Sequence, residues 1–250
     1  MNYDGLERDH WAAHCAQVSE LREKIANRPT IGKALVLPDD GSLSIGEGRR
    51  LPMSIMFIDV CGFSQRPMAT LEEQDITLRI LNLFFSEMIR IAEEYGGTIE
   101  KHTGDGLMIY FEDNLQGAEK LGIKRALACA LTMHAINTLL ISPILQATPN
   151  TFPLNFRTSI DHGYVTIARL GLPKRFQSIV AIGAAANFAC KMLRLAEPGD
   201  IVIGGNARDQ LPPTWLQFTQ LVPQDTGWTH TSNGTAYHLF KYTGRWSKLI

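Results

Sequence analysis

Met53-Ser54-Ile55-Met56-Phe57-Ile58-Asp59-Val60-Cys61-Gly62-Phe63-Ser64 is an apolar run that ends in a carboxylate and then a glycine turn. A run of this length and composition, closed by glycine, reads as a buried strand with Asp59 at its end. The arrangement returns in Glu100-Lys101-His102-Thr103-Gly104-Asp105-Gly106-Leu107-Met108-Ile109-Tyr110-Phe111. Strands at 98–102 and 107–111 there flank a Gly-Asp-Gly turn, a tight hairpin with Asp105 at its tip. Between the two segments, Thr70 and Glu73 form a capping box for a helix running to Tyr95, which Gly96-Gly97 ends. Either aspartate alone is an ordinary turn residue. Brought together at one sheet edge, the two carboxylates need a cation or a proton between them. All-oxygen ligands favour Mg²⁺ or Mn²⁺, and paired ions about 3.5–4 Å apart can clamp both oxygens of a phosphoryl displacement.

Outward from this centre, residues 1–50 read as an N-terminal amphipathic helix at 6–26 and a Gly- and Pro-bearing connector, and 51–250 as the catalytic domain. Further elements are expected as a helix at 120–140, strands at 156–161 and 164–170, a helix at 184–195, and strands at 201–203 and 236–242. The order β-α-β-β-α-β with β-α-β additions implies an α+β fold, its helices over one face of the sheet.

Composition narrows the function. Lys and Arg total 24 against 25 Asp and Glu, scattered along the chain, which argues against a nucleic-acid partner. No apolar run approaches the roughly 20 residues of a membrane span, so the expectation is no membrane and a cytoplasmic location. Cys15, Cys61, Cys129 and Cys190 form no Cys-x-x-Cys pair, so reduced thiols are expected. His10 and His14 have helical metal-pair spacing but no third ligand. P-loop, nucleophile-elbow and dinucleotide fingerprints are absent.

The chain resembles the class III nucleotidyl cyclases. The likeness rests on 57–64 and 101–106, on Arg157-Thr158-Ser159-Ile160-Asp161-His162-Gly163, and on Gly183-Ala184-Ala185-Ala186-Asn187-Phe188-Ala189-Cys190-Lys191. It implies two Mg²⁺ or Mn²⁺ ions per site, held by Asp59, Asp105 and the carbonyl of Val60, with the ribose 3′-hydroxyl attacking the α-phosphorus and pyrophosphate leaving. It also implies that the backbone of Cys61, Gly62, Phe63 and Ser64 holds phosphate oxygens. Asn187, Lys191 and Arg194 share a helix face. Asn187 would orient the ribose and Lys191 the pentavalent phosphorus, where the family usually has arginine. Lysine offers a point charge in place of a planar fork, so that task is open to Arg194. Arg175 is a candidate triphosphate clamp. Because the family's sites form between two domains and this chain carries both half-sets, the resemblance implies a homodimer with composite sites.

The resemblance assigns base recognition to Lys101, a donor, and to Val180, which stands where adenylate cyclases have an acidic acceptor. A donor-only pocket suits uracil, with its two carbonyls, better than adenine or guanine. The chain is also similar to bacterial pyrimidine cyclases of the Pycsar anti-phage type. That implies UTP as substrate, cyclic UMP as product and a separate effector protein that senses it. Rival readings are a cytidylate or adenylate cyclase, and an inactive cyclase-like module that binds nucleotide or dimerises.

Overall fold

The computed structural model describes residues 31–33 (backbone only), 43–102, 104–113, 121–149, 151–172, 175–230 and 232–246. The expected helix at 6–26, with His10, His14 and Cys15, lies outside them.

Among the described residues a sheet of nine strands organises the fold. Its centre pairs β2 (Gly48–Val60) with β5 (Phe156–Gly171), antiparallel along the whole of β2. Beyond β2 come β4 (Gly106–Glu112) and β3 (Thr98–His102). Beyond β5 come β7 (Ile201–Gly204), β9 (Leu239–Tyr242) and β8 (Thr219–Leu221). The short β1 (Ile31–Lys33) joins β2 in parallel, and β6 (Gln177–Ile182) folds back on β5.

Strand alternation divides the core into two layers. Met56, Ile58, Leu107 and Ile109 face α1 (Leu71–Glu94) and α2 (Gly122–Ile136), which bury Phe84, Met88, Ile91 and Leu127. Met53, Ile55, Phe57, Met108 and Tyr110 face α4 (Ala184–Met192) through Ala185, Phe188, Ala189 and Met192. Each large apolar side chain so buried contributes roughly 1.5–3 kcal/mol. The α+β class is as expected, with one correction: α4 lies on the face opposite α1 and α2, because its buried residues match the odd-numbered positions of β2.

The start of α1 follows the capping box. Glu73 N–H donates to Thr70 Oγ1 at 3.2 Å, and Thr70 N–H donates to Glu73 Oε2 at 2.9 Å. Gly96, at φ 67°, supplies the left-handed residue that ends the helix. The helix expected at 120–140 proves to be α2, a π turn at Asn137–Ile141 and α3 (Ser142–Ala147). This run is long and apolar enough to cross a membrane by composition, unlike the expectation from sequence. Ile123, Ala126, Leu127, Ala130, Ile141 and Leu145 place its inner side in the core. The strands expected at 156–161 and 164–170 are one 16-residue strand, β5. The helix expected to reach 195 stops at Met192, and a 3₁₀ turn at Leu193–Leu195 carries Arg194.

Candidate active site

The hairpin β3–β4 brings the two aspartates to one sheet end. Asp59 faces Gly106 in the β2–β4 register, and Val60 N–H donates to the Asp105 carbonyl at 2.8 Å. The neighbouring peptide is anchored by Cys61 N–H to the Asn155 carbonyl, also 2.8 Å. Gly62, at φ 67°, then turns the chain into the 3₁₀ turn Phe63–Gln65, with open space where a Cβ would stand. Phe63 packs on the core while Ser64 is exposed. The loop is thereby fixed at its base and open at its surface.

Asp59 is met from β5 by Arg157, whose Nε and Nη2 lie 2.9 and 2.8 Å from Oδ2. Burial raises the Asp59 carboxyl above the usual range, the Arg157 guanidinium works against that, and Asp105 adds to it. Burial likewise pushes the Cys61 thiol up. Arg157 is a residue of this site that sequence reasoning did not assign a role. The available signal was its place opposite Asp59, which required the strand register.

The donor set fits a hard divalent cation. Two carboxylates and the carbonyl of Val60 offer oxygen only; no third acidic, His or Cys ligand joins them among the described residues. Mg²⁺ is commonly held in this way, by one or two carboxylates with substrate phosphates completing the shell.

The remaining candidates lie elsewhere on the chain. Asn187, Lys191 and Arg194 are exposed on α4 and the following turn, on the sheet face that also carries Asp59. Among the described residues the side chains of Asn187 and Arg194 have no hydrogen-bond or ion-pair partner. Lys191 Nζ sits 5.8 Å from the ring centre of Trp228, which stacks on Phe188. Arg175 is exposed at the β5–β6 turn, the end of β5 remote from Arg157. Val180 pairs with Ala168 far along β5, so one chain does not bring it to Lys101.

Lys101 has a neighbour that the sequence reading left out. A register shift between Ile99 and Lys101 puts Lys101 opposite Met108, on the face of α4. The side chain of Glu100 reaches the same face. Its Oε1 lies 3.1 Å from Lys101 Nζ, and the Tyr110 phenol is pushed up by burial and by this carboxylate. The surroundings of Lys101 therefore include an acceptor, although the Glu100 side chain is only 1% exposed.

No protein-family model matches the sequence. Among solved structures, the adenylyl cyclase CyaB from P. aeruginosa superposes with a TM-score of 0.63 at 25% identity, covering 82% of this chain and all of that one. Fold, site and this likeness together support a class III nucleotidyl cyclase. Within that class the sequence is similar to the uridylate cyclase of Rhodovulum sp. (strain MB263), 25% identical over 188 residues and covering 73% of each chain. It is also 26% identical over 161 residues to the uridylate cyclase of Burkholderia cepacia, covering 64% of this chain and 66% of the relative.

Proposed function

We propose that this protein is a uridylate cyclase, converting UTP to 3′,5′-cyclic UMP and pyrophosphate in a symmetric homodimer with two composite sites. The carrying observation is the pairing of Asp59 with Asp105 at one strand end, while Asn187 and Lys191 stand exposed on the same sheet face. A second copy laid against that face brings the α4 residues of one subunit over the aspartates of the other.

Two bound Mg²⁺ or Mn²⁺ ions would polarise the attacking ribose hydroxyl and neutralise the triphosphate. Asp59, Asp105 and the Val60 carbonyl would hold them; the N–H of Cys61 is already taken by the Asn155 carbonyl, so the backbone of 62–64 is left to receive phosphate oxygens. Asn187 orients the ribose, and Lys191 meets the charge that develops on the α-phosphoryl group. Arg194 is the alternative to Lys191 for that charge, and Arg175 is a candidate clamp for the triphosphate. Lys101, held from beneath by the buried Glu100 carboxylate, donates to a uracil carbonyl. The names of the two curated relatives favour uracil. Signalling in anti-phage defence through a separate effector, and a cytoplasmic location, follow from the Pycsar resemblance.

The protein is to be incubated with Mn²⁺ and each of the four ribonucleoside triphosphates, and the products identified by mass spectrometry. Cyclic UMP as the dominant product is the expected outcome. Dominant cyclic AMP or cyclic GMP ends the base assignment but keeps the chemistry. No cyclic product from any of the four points to the inactive module.

A further inference from the structure

The strand register sets Arg157 of β5 directly opposite Asp59 of β2. Two of its nitrogens converge on one oxygen, Asp59 Oδ2, at 2.9 and 2.8 Å. The third, Nη1, donates to the carbonyl of Ala196 at 3.4 Å. Ala196 is the residue that closes the 3₁₀ turn after α4. The pair is 30% and 21% exposed, so it is neither a freely solvated surface ion pair nor a sealed core pair.

This geometry has a directional consequence. A guanidinium that occupies Oδ2 leaves Oδ1 as the open oxygen of the carboxylate. It also places a positive charge directly against the Asp59 carboxylate. Through Ala196 the same planar group ties the aspartate strand to the segment bearing Arg194. Lysine has one nitrogen and cannot span both partners.

We propose that Arg157 is the positioning residue of Asp59: it locks the carboxylate so that a single oxygen faces the cation site. The nature of the cation rests on the cyclase reading above, whereas the locking geometry does not. A positioning cation and a structural ion pair predict opposite signs for metal affinity. Removing a structural prop disorders the site and weakens cation binding. Removing a nearby positive charge strengthens the attraction of the two carboxylates for a cation, while leaving Asp59 misdirected.

The test is Mn²⁺ titration of the full chain without nucleotide, by calorimetry, alongside cyclase kinetics on wild type, Arg157→Met and Arg157→Lys. For Arg157→Met the expectation is Mn²⁺ affinity tightened about 3- to 10-fold, with kcat down about 100-fold and KM for the triphosphate within about threefold. Arg157→Lys keeps the charge and guards against misfolding of the methionine variant. Its expected signature is wild-type Mn²⁺ affinity with kcat down about tenfold. Weaker Mn²⁺ binding in either folded variant, or unchanged kcat in both, overturns the proposal. So does a wild type that takes up no Mn²⁺. A wild type that binds Mn²⁺ but forms no cyclic product defeats the cyclase reading alone, since the affinity shift still decides the role of Arg157.

Discussion

The aspartate edge and the α4 stripe lie on one face of the sheet, yet only the first is finished by its own chain. Asp59 is clamped by Arg157, and the backbone beside it is bonded to the Asp105 loop. Among the described residues the Asn187 and Arg194 side chains have no hydrogen-bond or ion-pair partner, and Lys191 lies by the aromatic stack of Trp228 on Phe188. Carboxylates left unpaired beside each other repel, so a sheet that brings them together must also hold them. Amide and cationic groups on an exposed helix face are satisfied by water and need no such support. The difference teaches that the chain braces its aspartate pair from within and leaves the α4 residues open to solvent, as the proposed composite site requires.

The strongest way to break this comparison is at the clamped end. Asp59→Asn and Asp105→Asn should each lower kcat by about 10³-fold or more with little change in thermal melting, because they delete a ligand charge and keep the shape. Steady-state assays beside a melting curve check both halves of that statement, and an active Asp105→Asn enzyme would remove the metal reading.

A smaller loss, about 100-fold, is expected for Asn187→Ala or Lys191→Ala, each removing one preorganised contact to the reacting group. Mixing Asp59→Asn chains with Asn187→Ala chains should restore part of the activity, since one of the two composite sites in the mixed dimer is intact. Mixtures no better than either parent would place both half-sets in a single subunit. Arg194→Ala should cost about threefold or less, as nothing in the structure restrains that side chain toward a ligand. A loss matching that of Lys191→Ala would exchange their roles.

The smallest effect concerns stability and lies behind the α4 layer. Asp161 is buried and accepts from the Tyr237 hydroxyl at 2.6 Å, and burial raises its carboxyl to about 7. Between pH 4 and 7 the unfolded chain has lost this proton and the native chain keeps it, so this group's contribution to stability falls as pH rises through that window. His134 works in the opposite sense: burial lowers it to about 4, so its contribution rises with pH between about 4 and 6.5. The two cancel in part for the wild type, and the variant separates them. Relative to wild type, Asp161→Asn should gain a few degrees of Tm at pH 8 over pH 5, measured by calorimetry across that range. Parallel pH profiles for the two proteins would show that Asp161 does not hold the proton.

Much of the aspartate edge was legible in the sequence because its signals are local. An apolar run ending in Asp-Val-Cys-Gly, a capping box and a Gly-Asp-Gly hairpin each specify a backbone shape within a few residues. Partners across the sheet were not legible. Arg157 is 98 positions from Asp59, and only the β2–β5 register makes them neighbours. Glu100 escaped for a related reason: period-two alternation sends adjacent residues to opposite faces, and the register shift before Lys101 cancels that rule. The side of the sheet taken by α4 was equally hidden. A helix with an apolar stripe can cover either face, and the choice is made by which layer has room for Ala185, Phe188 and Met192.

By itself, then, the sequence determined the α+β class, the hairpin that carries Asp105 and the donor chemistry of the site, because residue types and short spacings specify local backbone and ligand preference. Tertiary structure alone decided that Asp59 is held by Arg157, that an acid stands beside Lys101, and that Asn187 and Lys191 face outward. Those are long-range pairings, and they exist only once the strands have settled into register.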